Sequence, residues 1–129
     1  MKKLNILLKI TFHLFNLILI LLYLYPGSIF GYLIYGDLNK QPQITNDFFY
    51  ISSNHLYIFM FFTTLAIIAY SKNNKFDFWI KYIFFLSIIL ELTHIIIPER
   101  SFQAGDVLGN FFGVLLIFVL YKIYKKKKV

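Results

Sequence analysis

Four long apolar segments follow one another along the chain, separated by shorter polar stretches. They cover residues 4–25, 54–70, 78–97 and 106–124. Each is close to the ~20 residues that a helix needs to cross a bilayer, and each is too long for a strand and too unbroken for a soluble amphipathic helix. The pattern predicts an all-α, polytopic membrane protein whose single domain, residues 1–129, is a four-helix transmembrane bundle.

The outer connection between the first two segments, residues 26–53, contains one further apolar stretch. It begins at Pro26-Gly27, a pair that ends or kinks a helix, and its apolar residues 29–35 are too few to cross a membrane. We interpret this stretch as an interfacial segment or as a bent continuation of the first helix. The first segment also resembles a signal peptide, but it is longer than usual for one and no small-x-small cleavage pattern follows it, so we expect it to be retained.

The composition supports a membrane protein and excludes several kinds of site. Hydrophobic residues make up 59% of the chain and charged residues only 15%, a balance that a water-soluble domain of this size does not need. There is no cysteine, which excludes disulfides, thiolate metal sites and cysteine nucleophiles. Among the aromatic residues, Tyr23 and Tyr70 lie near predicted membrane interfaces, where tyrosine is enriched.

The basic residues indicate how the chain is threaded. Eleven of the thirteen lie at the start, between the second and third segments, or at the end: Lys2, Lys3, Lys9, Lys72, Lys75, Lys81, Lys122, Lys125, Lys126, Lys127 and Lys128. Only Lys40 and Arg100 lie on the opposite side. Short loops rich in lysine and arginine stay in the cytoplasm, so both termini are predicted to be cytoplasmic. The formal net charge of the chain is +7. The anionic inner leaflet attracts the cytoplasmic lysines, so the basic charge does not indicate a nucleic-acid partner.

Half of the carboxylate, imidazole and guanidinium groups of the chain, five of ten, lie within the twenty residues 91–110. An ionisable residue inside a membrane helix is unfavourable, and is therefore a candidate for function. We predict that acid–base catalysis uses Glu91, His94 and, from the start of the second segment, His55. We predict substrate binding by Arg100, Ser101, Asp106 and Asn110, of which the Arg100 guanidinium and the Asn110 amide are donors that suit phosphate or carboxylate groups.

Helical spacing brings these groups together. Glu91 and His94 share one face of the third helix, and Asp106 and Asn110 share one face of the fourth, so two polar stripes can face each other. Glu91 precedes Pro98 by seven residues, which places it about 10 Å below the predicted helix end. Small residues at every fourth position let another backbone approach closely, and predict helix packing by Gly105, Gly109 and Gly113.

The chain resembles the VanZ-like family of small bacterial membrane proteins over about residues 48–120. The resemblance rests on the run Glu91-x-x-His94-x-x-x-Pro98-x-Arg100-Ser101-x-x-x-x-Asp106-x-x-x-Asn110-x-x-Gly113, preceded by His55. Two departures are visible. His94 stands where the family typically has glutamine, and Ser52-Ser53-Asn54 replaces an Asp-Lys pair that often precedes the family's histidine.

The resemblance implies a role in the cell envelope, at the bacterial inner membrane. The namesake of the family is associated with reduced susceptibility to glycopeptide antibiotics, mainly teicoplanin. We hypothesise a pocket, open to the outer leaflet, that binds or modifies an anionic lipid or the phosphate head of a lipid-linked cell-wall precursor. The competing hypothesis is a non-enzymatic accessory or scaffold protein whose polar residues only hold the helix bundle together. Both hypotheses, and the oligomeric state, stay open on the sequence alone.

A metal site is a further chemical alternative. Glu91-x-x-His94 places two ligand types on one helical face, and His55 or Asp106 could complete a set. Only one such motif is present, and family members with glutamine at the position of His94 would lose a ligand. We therefore predict no metal and no other cofactor.

Overall fold

The computed structural model describes residues 2–128, and over that range the protein is all α-helical. Its helices are α1 (Lys2–Leu24), α2 (Ile29–Tyr35), α3 (Ser53–Tyr70), α4 (Phe76–Thr93) and α5 (Ala104–Lys127). The connection between α2 and α3 contains one isolated antiparallel bridge, between Phe48 and Ile51. The predicted all-α class is confirmed for the described residues.

Three of these helices, α1, α3 and α5, are long and apolar enough to cross a membrane. The fourth long helix, α4, is 18 residues long, as α3 is, but it carries three charged side chains, Asp77, Lys81 and Glu91. The prediction of a membrane protein is therefore supported by three candidate spans within residues 2–128. The predicted count of four is not established by apolar length alone.

The four long helices pack into a bundle in which successive helices run in opposite directions. His13 of α1 contacts Tyr70 at one end of α3, and Tyr23 of α1 contacts His55 at the other. A short turn, residues 71–75, then reverses the chain into α4. The lysine-rich ends of the helices consequently lie at one end of the bundle, and the polar residues singled out in the sequence lie at the other.

The glycines of α5 lie against the first turns of α3 and the residues just before it, and the two helices run parallel. A Cβ atom on Gly105 would stand 2.5 Å from the carbonyl oxygen of Tyr50, and one on Gly113 would stand 2.5 Å from that of Leu56. Gly109 between them is equally close to Ser52 and would bring its Cβ to 2.9 Å from the Cβ of His55. Absence of side chains on this face of α5 therefore allows His55 to reach α5.

The core between the helices is largely aromatic. Phe12, Phe59 and Phe62 are completely buried, and the rings of Phe12 and Phe62 stack with centroids 5.2 Å apart. Many large apolar side chains at the periphery of the bundle are exposed instead, which is expected where lipid replaces water. The packed centre fixes the helices that carry the polar residues.

Helix α2 is a separate element and does not continue α1. The chain leaves α1 after Leu24 and turns at Gly27, whose φ of +91° favours glycine. Ser28 then begins α2 as its N-cap, its hydroxyl accepting a hydrogen bond from the Gly31 amide at 3.0 Å. The interpretation as a bent continuation of the first helix is therefore wrong, and the interfacial segment stays a prediction.

Helix α4 ends at Thr93, four residues before the end predicted from Pro98. The Thr93 hydroxyl donates to the Leu90 carbonyl at 2.6 Å, and the next amides bond three residues back rather than four, beginning with His94 to Glu91 at 3.0 Å. Glu91 consequently lies two residues from the helix end, not about 10 Å below it. The remaining boundaries differ from the predicted ones by at most three residues.

Candidate functional site

A polar network occupies the end of the bundle where α1 and α4 end and where α3 and α5 begin. Its centre is Asn110, which is fully buried on α5. The Asn110 amide nitrogen donates to the Ser87 carbonyl at 3.1 Å, so its side-chain oxygen points away from Ser87. That oxygen accepts a hydrogen bond from the Tyr23 hydroxyl at 2.7 Å and lies 3.0 Å from Nδ1 of His55.

These contacts determine the tautomer of His55. The Asn110 oxygen can only accept, so the 3.0 Å contact assigns a hydrogen to Nδ1 of His55. In the neutral imidazole, Nε2 then carries a lone pair. Nε2 lies 3.5 Å from Oδ2 of Asp106. Asp106 lies on α5 one turn before Asn110.

Glu91 and His94 form a second part of the network on α4. Glu91 is completely buried. Its Oε1 lies 3.1 Å from Nδ1 of His94, and it accepts a hydrogen bond from the backbone N–H of Gln103, also at 3.1 Å. Nε2 of His94 lies 3.0 Å from the Tyr23 carbonyl oxygen. Both ring nitrogens therefore face acceptors, an arrangement that the imidazolium form satisfies. The carboxylate stands just before α5, where a helix dipole favours negative charge.

Two features of the carboxylates stand out within the described residues. Oε2 of Glu91 is buried and has no hydrogen-bond partner. His55, Glu91 and Asp106 each offer one ligand atom, and the three atoms lie within 4.8 Å of one another. These residues come from three different helices, so the folded bundle alone brings them together. They are the described residues best placed to hold a metal ion.

Arg100 connects this network to the end of α1. Its Nη2 donates to the Leu22 carbonyl at 2.9 Å and its Nε donates to the Tyr25 carbonyl at 3.1 Å. No ion pair with Asp106 forms in residues 2–128, so the two do not clamp the loop directly. Partial burial lowers the pKa of the Arg100 guanidinium, and the nearby Glu91 carboxylate opposes that change. Arginine remains charged at neutral pH even so.

Two adjoining cavities open beside these groups. The larger, about 380 Å³, is lined mainly by apolar side chains of α1, α2 and α3, among them Leu19, Ile34 and Ile58. The smaller, about 130 Å³, is lined by polar groups, including Ser101, Gln103 and Asp106. Four residues line both cavities: Ser28, Gln41, His94 and Arg100. The space therefore changes from apolar to polar at His94 and Arg100.

Comparison with protein families gives this geometry a context. The family model described as VanZ/LLP1 matches residues 4–125, nearly the whole chain. The chain belongs to the VanZ/LLP1 family. This confirms the resemblance that the sequence motifs indicated over a shorter range. No curated protein and no solved structure matches the chain significantly.

The predicted site residues of this VanZ/LLP1 protein all lie at one end of the bundle. Glu91, His94, His55, Asp106 and Asn110 belong to the buried network described above. Arg100 and Ser101 lie on the loop that closes it, and both line the smaller cavity. The glycines of α5 contribute no side chain to this network, and they allow the backbone of residues 50–56 and the side chain of His55 to approach α5 closely.

Tyr23 is the residue that sequence reasoning missed. We placed it in an interfacial belt, but the structure buries it to 6% exposure, with its hydroxyl 2.8 Å from Nδ1 of His55. Its ring stacks on His94 with centroids 5.6 Å apart. The available signal was its position, three residues before Pro26 and so at the same end as the polar cluster. Tyr70 is likewise buried, against His13, and does not belong to a belt.

Proposed function

We propose that this VanZ/LLP1 protein binds, and acts on, an anionic or lipid-linked substrate of the bacterial cell envelope at an outward-facing recess. The observation that carries the proposal is the pair of adjoining cavities, one apolar and one polar. Pockets for small molecules combine an apolar lining with a few placed polar groups. An amphiphile would fit here with its hydrocarbon chain in the larger cavity and its head group in the smaller.

The groups at the junction of the cavities suit an anionic head. Arg100 uses two of its five N–H groups on the carbonyls of Leu22 and Tyr25, which leaves three for a phosphate or carboxylate. Glu91 and His94 are the proposed acid–base pair for proton transfer to or from that head, since they are within hydrogen-bond distance of each other. A contribution to teicoplanin susceptibility would follow from chemistry on a cell-wall precursor.

The proposed orientation places the recess at the outer leaflet and both termini in the cytoplasm. Its support is the lysine distribution, because eleven of thirteen basic residues lie at the opposite end of the bundle from the recess. We propose α4 as the fourth span. Asp77 and Lys81 lie in its first six residues and Glu91 in its last three, so the stretch between them is apolar.

Binding of an anionic lipid tests the proposal. We expect detergent-purified protein to bind a radiolabelled polyprenyl phosphate, and Arg100→Gln to weaken that binding about tenfold or more, because it removes charge-assisted hydrogen bonds. Lys40→Gln removes the other basic residue of the same side and should bind like wild type. It is the matched control because Lys40 lines neither cavity.

Comparison of the polyprenyl phosphate with two simpler ligands identifies which part of the amphiphile the protein recognises. The neutral polyprenol of the same chain length and inorganic phosphate alone should each bind more weakly than the polyprenyl phosphate. Equal binding of the phosphate by Arg100→Gln and wild type would contradict a head-group role for Arg100. Equal binding of the alcohol and the phosphate would contradict recognition of an anion.

The scaffold hypothesis is the second candidate, and specific contacts favour it as well. Glu91 holds the backbone ahead of α5 through Gln103, and Arg100 holds the end of α1 through Leu22 and Tyr25. A polar network of this kind would join three parts of the chain without any substrate. The two hypotheses differ in what they predict for Glu91→Gln: a folded protein without function if Glu91 takes part in chemistry, and loss of folding together with function if it is only structural.

A further inference from the structure

The same end of the bundle brings together one possible ligand atom each from His55, Glu91 and Asp106, and these three atoms lie within 4.8 Å of one another. Nε2 of His55 lies 3.5 Å from Oδ2 of Asp106, and either a proton on Nε2 or a cation between the two atoms would satisfy both. Oε2 of Glu91 is buried with no partner among the described residues. A buried polar group needs compensation, and here a cation would supply it to all three residues.

We propose that His55, Glu91 and Asp106 bind one divalent first-row transition ion, Zn²⁺ or Mn²⁺. One ligand atom of each residue lies within 4.8 Å of those of the others. Three ligands at about 2.0–2.2 Å from one ion lie at most about 3.8 Å from one another when evenly spaced, so side-chain adjustments of up to about 1 Å bring the three donors into range. One imidazole nitrogen with two carboxylate oxygens is a donor set that suits these ions.

The surroundings of His55 prepare it as a ligand. Metal-binding histidines usually hold their second ring nitrogen in a hydrogen bond, which orients the ring and leaves the other nitrogen unprotonated. Nδ1 of His55 is held in this way by the Asn110 oxygen at 3.0 Å, with the Tyr23 hydroxyl 2.8 Å away. His94 is not a ligand, because its two nitrogens already face Glu91 and the Tyr23 carbonyl. Of the sequence motif Glu91-x-x-His94, only Glu91 therefore belongs to the proposed ligand set.

The ion would remain accessible from the recess. Asp106 lines the smaller cavity and His55 lines the larger. Three protein ligands with a remaining open position are typical of sites at which an ion binds a further molecule, whereas structural sites are closed by four. The inference goes beyond the proposed lipid function, since the protein would bind the ion with no lipid present.

The test is metal binding by the purified protein without lipid substrate. Tag-free protein in a non-ionic detergent is stripped with a chelator, loaded with Zn²⁺ or Mn²⁺, desalted, and analysed by elemental mass spectrometry. We expect about one ion per chain for wild type. Loss of a residue that only hydrogen-bonds to a metal ligand lowers the metal affinity by about 10–100-fold. Asp106→Asn and Glu91→Gln each remove a proposed ligand and should lower the metal affinity by more than that.

His13→Gln is the matched control, because it removes a histidine at the opposite end of the bundle and should retain the ion. Circular dichroism and gel filtration of every variant show whether it is folded, and Asp106→Asn is the main variant because Asp106 is only partly buried. Wild type without stoichiometric metal would overturn the proposal. Equal binding by wild type, Asp106→Asn and Glu91→Gln would also overturn it. Either result would leave lipid binding, measured separately, unaffected.

Discussion

Glu91→Gln is expected to abolish the function of the protein while leaving its fold intact. The substitution keeps an oxygen that can accept the Gln103 hydrogen bond, at nearly unchanged volume, so the contact ahead of α5 survives. It removes the buried negative charge, and with it both acid–base chemistry and a cation ligand. Loss of a general acid or base lowers a rate by about 10²–10⁴-fold. The measurement is complementation of a deletion strain, scored by teicoplanin susceptibility and by its lipid-linked intermediates.

A second carboxylate on the same helix provides the control. Asp77 is exposed near the start of α4, so Asp77→Asn should complement like wild type. Loss of expression, or of the helical circular dichroism signal, in Glu91→Gln alone would favour the scaffold hypothesis. Full complementation by folded Glu91→Gln would contradict a chemical role for the carboxylate.

Asn110→Ala is expected to cause the largest loss of stability among the network residues. It removes three contacts from a fully buried place, those with the Tyr23 hydroxyl, Nδ1 of His55 and the Ser87 carbonyl, although the first two groups still contact each other at 2.8 Å. A single polar contact between membrane helices averages only about 0.6 kcal/mol, but each buried group left unpaired costs about 1–3 kcal/mol. We expect the free energy of unfolding to fall by about 2–4 kcal/mol, measured by SDS titration in mixed micelles.

Two variants with smaller expected losses of stability serve as comparisons. Tyr23→Phe removes one hydroxyl from the same network and should cost about 1 kcal/mol. Asn16→Ala removes an asparagine of α1 that accepts one hydrogen bond, from Tyr82, and should cost about 0.6 kcal/mol. If Asn110→Ala costs no more than Asn16→Ala, the network does not stabilise the bundle as the contacts indicate.

The sequence predicted the long helices because their apolar length is a strong local signal. It was less successful at their ends. Pro98 marks the latest residue at which α4 can end, but the change to backbone hydrogen bonds over three residues from His94 onward has no signal in the apolar length. The separate helix α2 depends on the turn at Gly27 and the Ser28 cap, which a short apolar stretch does not reveal.

The site was predictable where residues share a helix and unpredictable where helices meet. Spacing alone placed Glu91 beside His94 and Asp106 beside Asn110. The inward-facing side of α1 was hard to read from hydropathy, because most of its residues are apolar and hydropathy does not separate lipid-facing from core-facing positions; Asn16, seven residues before Tyr23, was a polar marker of that face. Tyr23 was therefore assigned to the interface. The partners of Arg100 were missed for a related reason, since backbone carbonyls at a helix end carry no sequence signal.

Cysteine labelling tests the central claim, an outward-facing recess, most directly. The chain has no cysteine, so single substitutions report without background. Ser101 is exposed at the smaller cavity, and Asn74 is exposed in the turn between α3 and α4 at the other end of the bundle. A membrane-impermeant maleimide added to intact cells should modify Ser101→Cys, and should modify Asn74→Cys only after permeabilisation. Labelling of Asn74→Cys in intact cells, with Ser101→Cys protected until permeabilisation, would contradict the account.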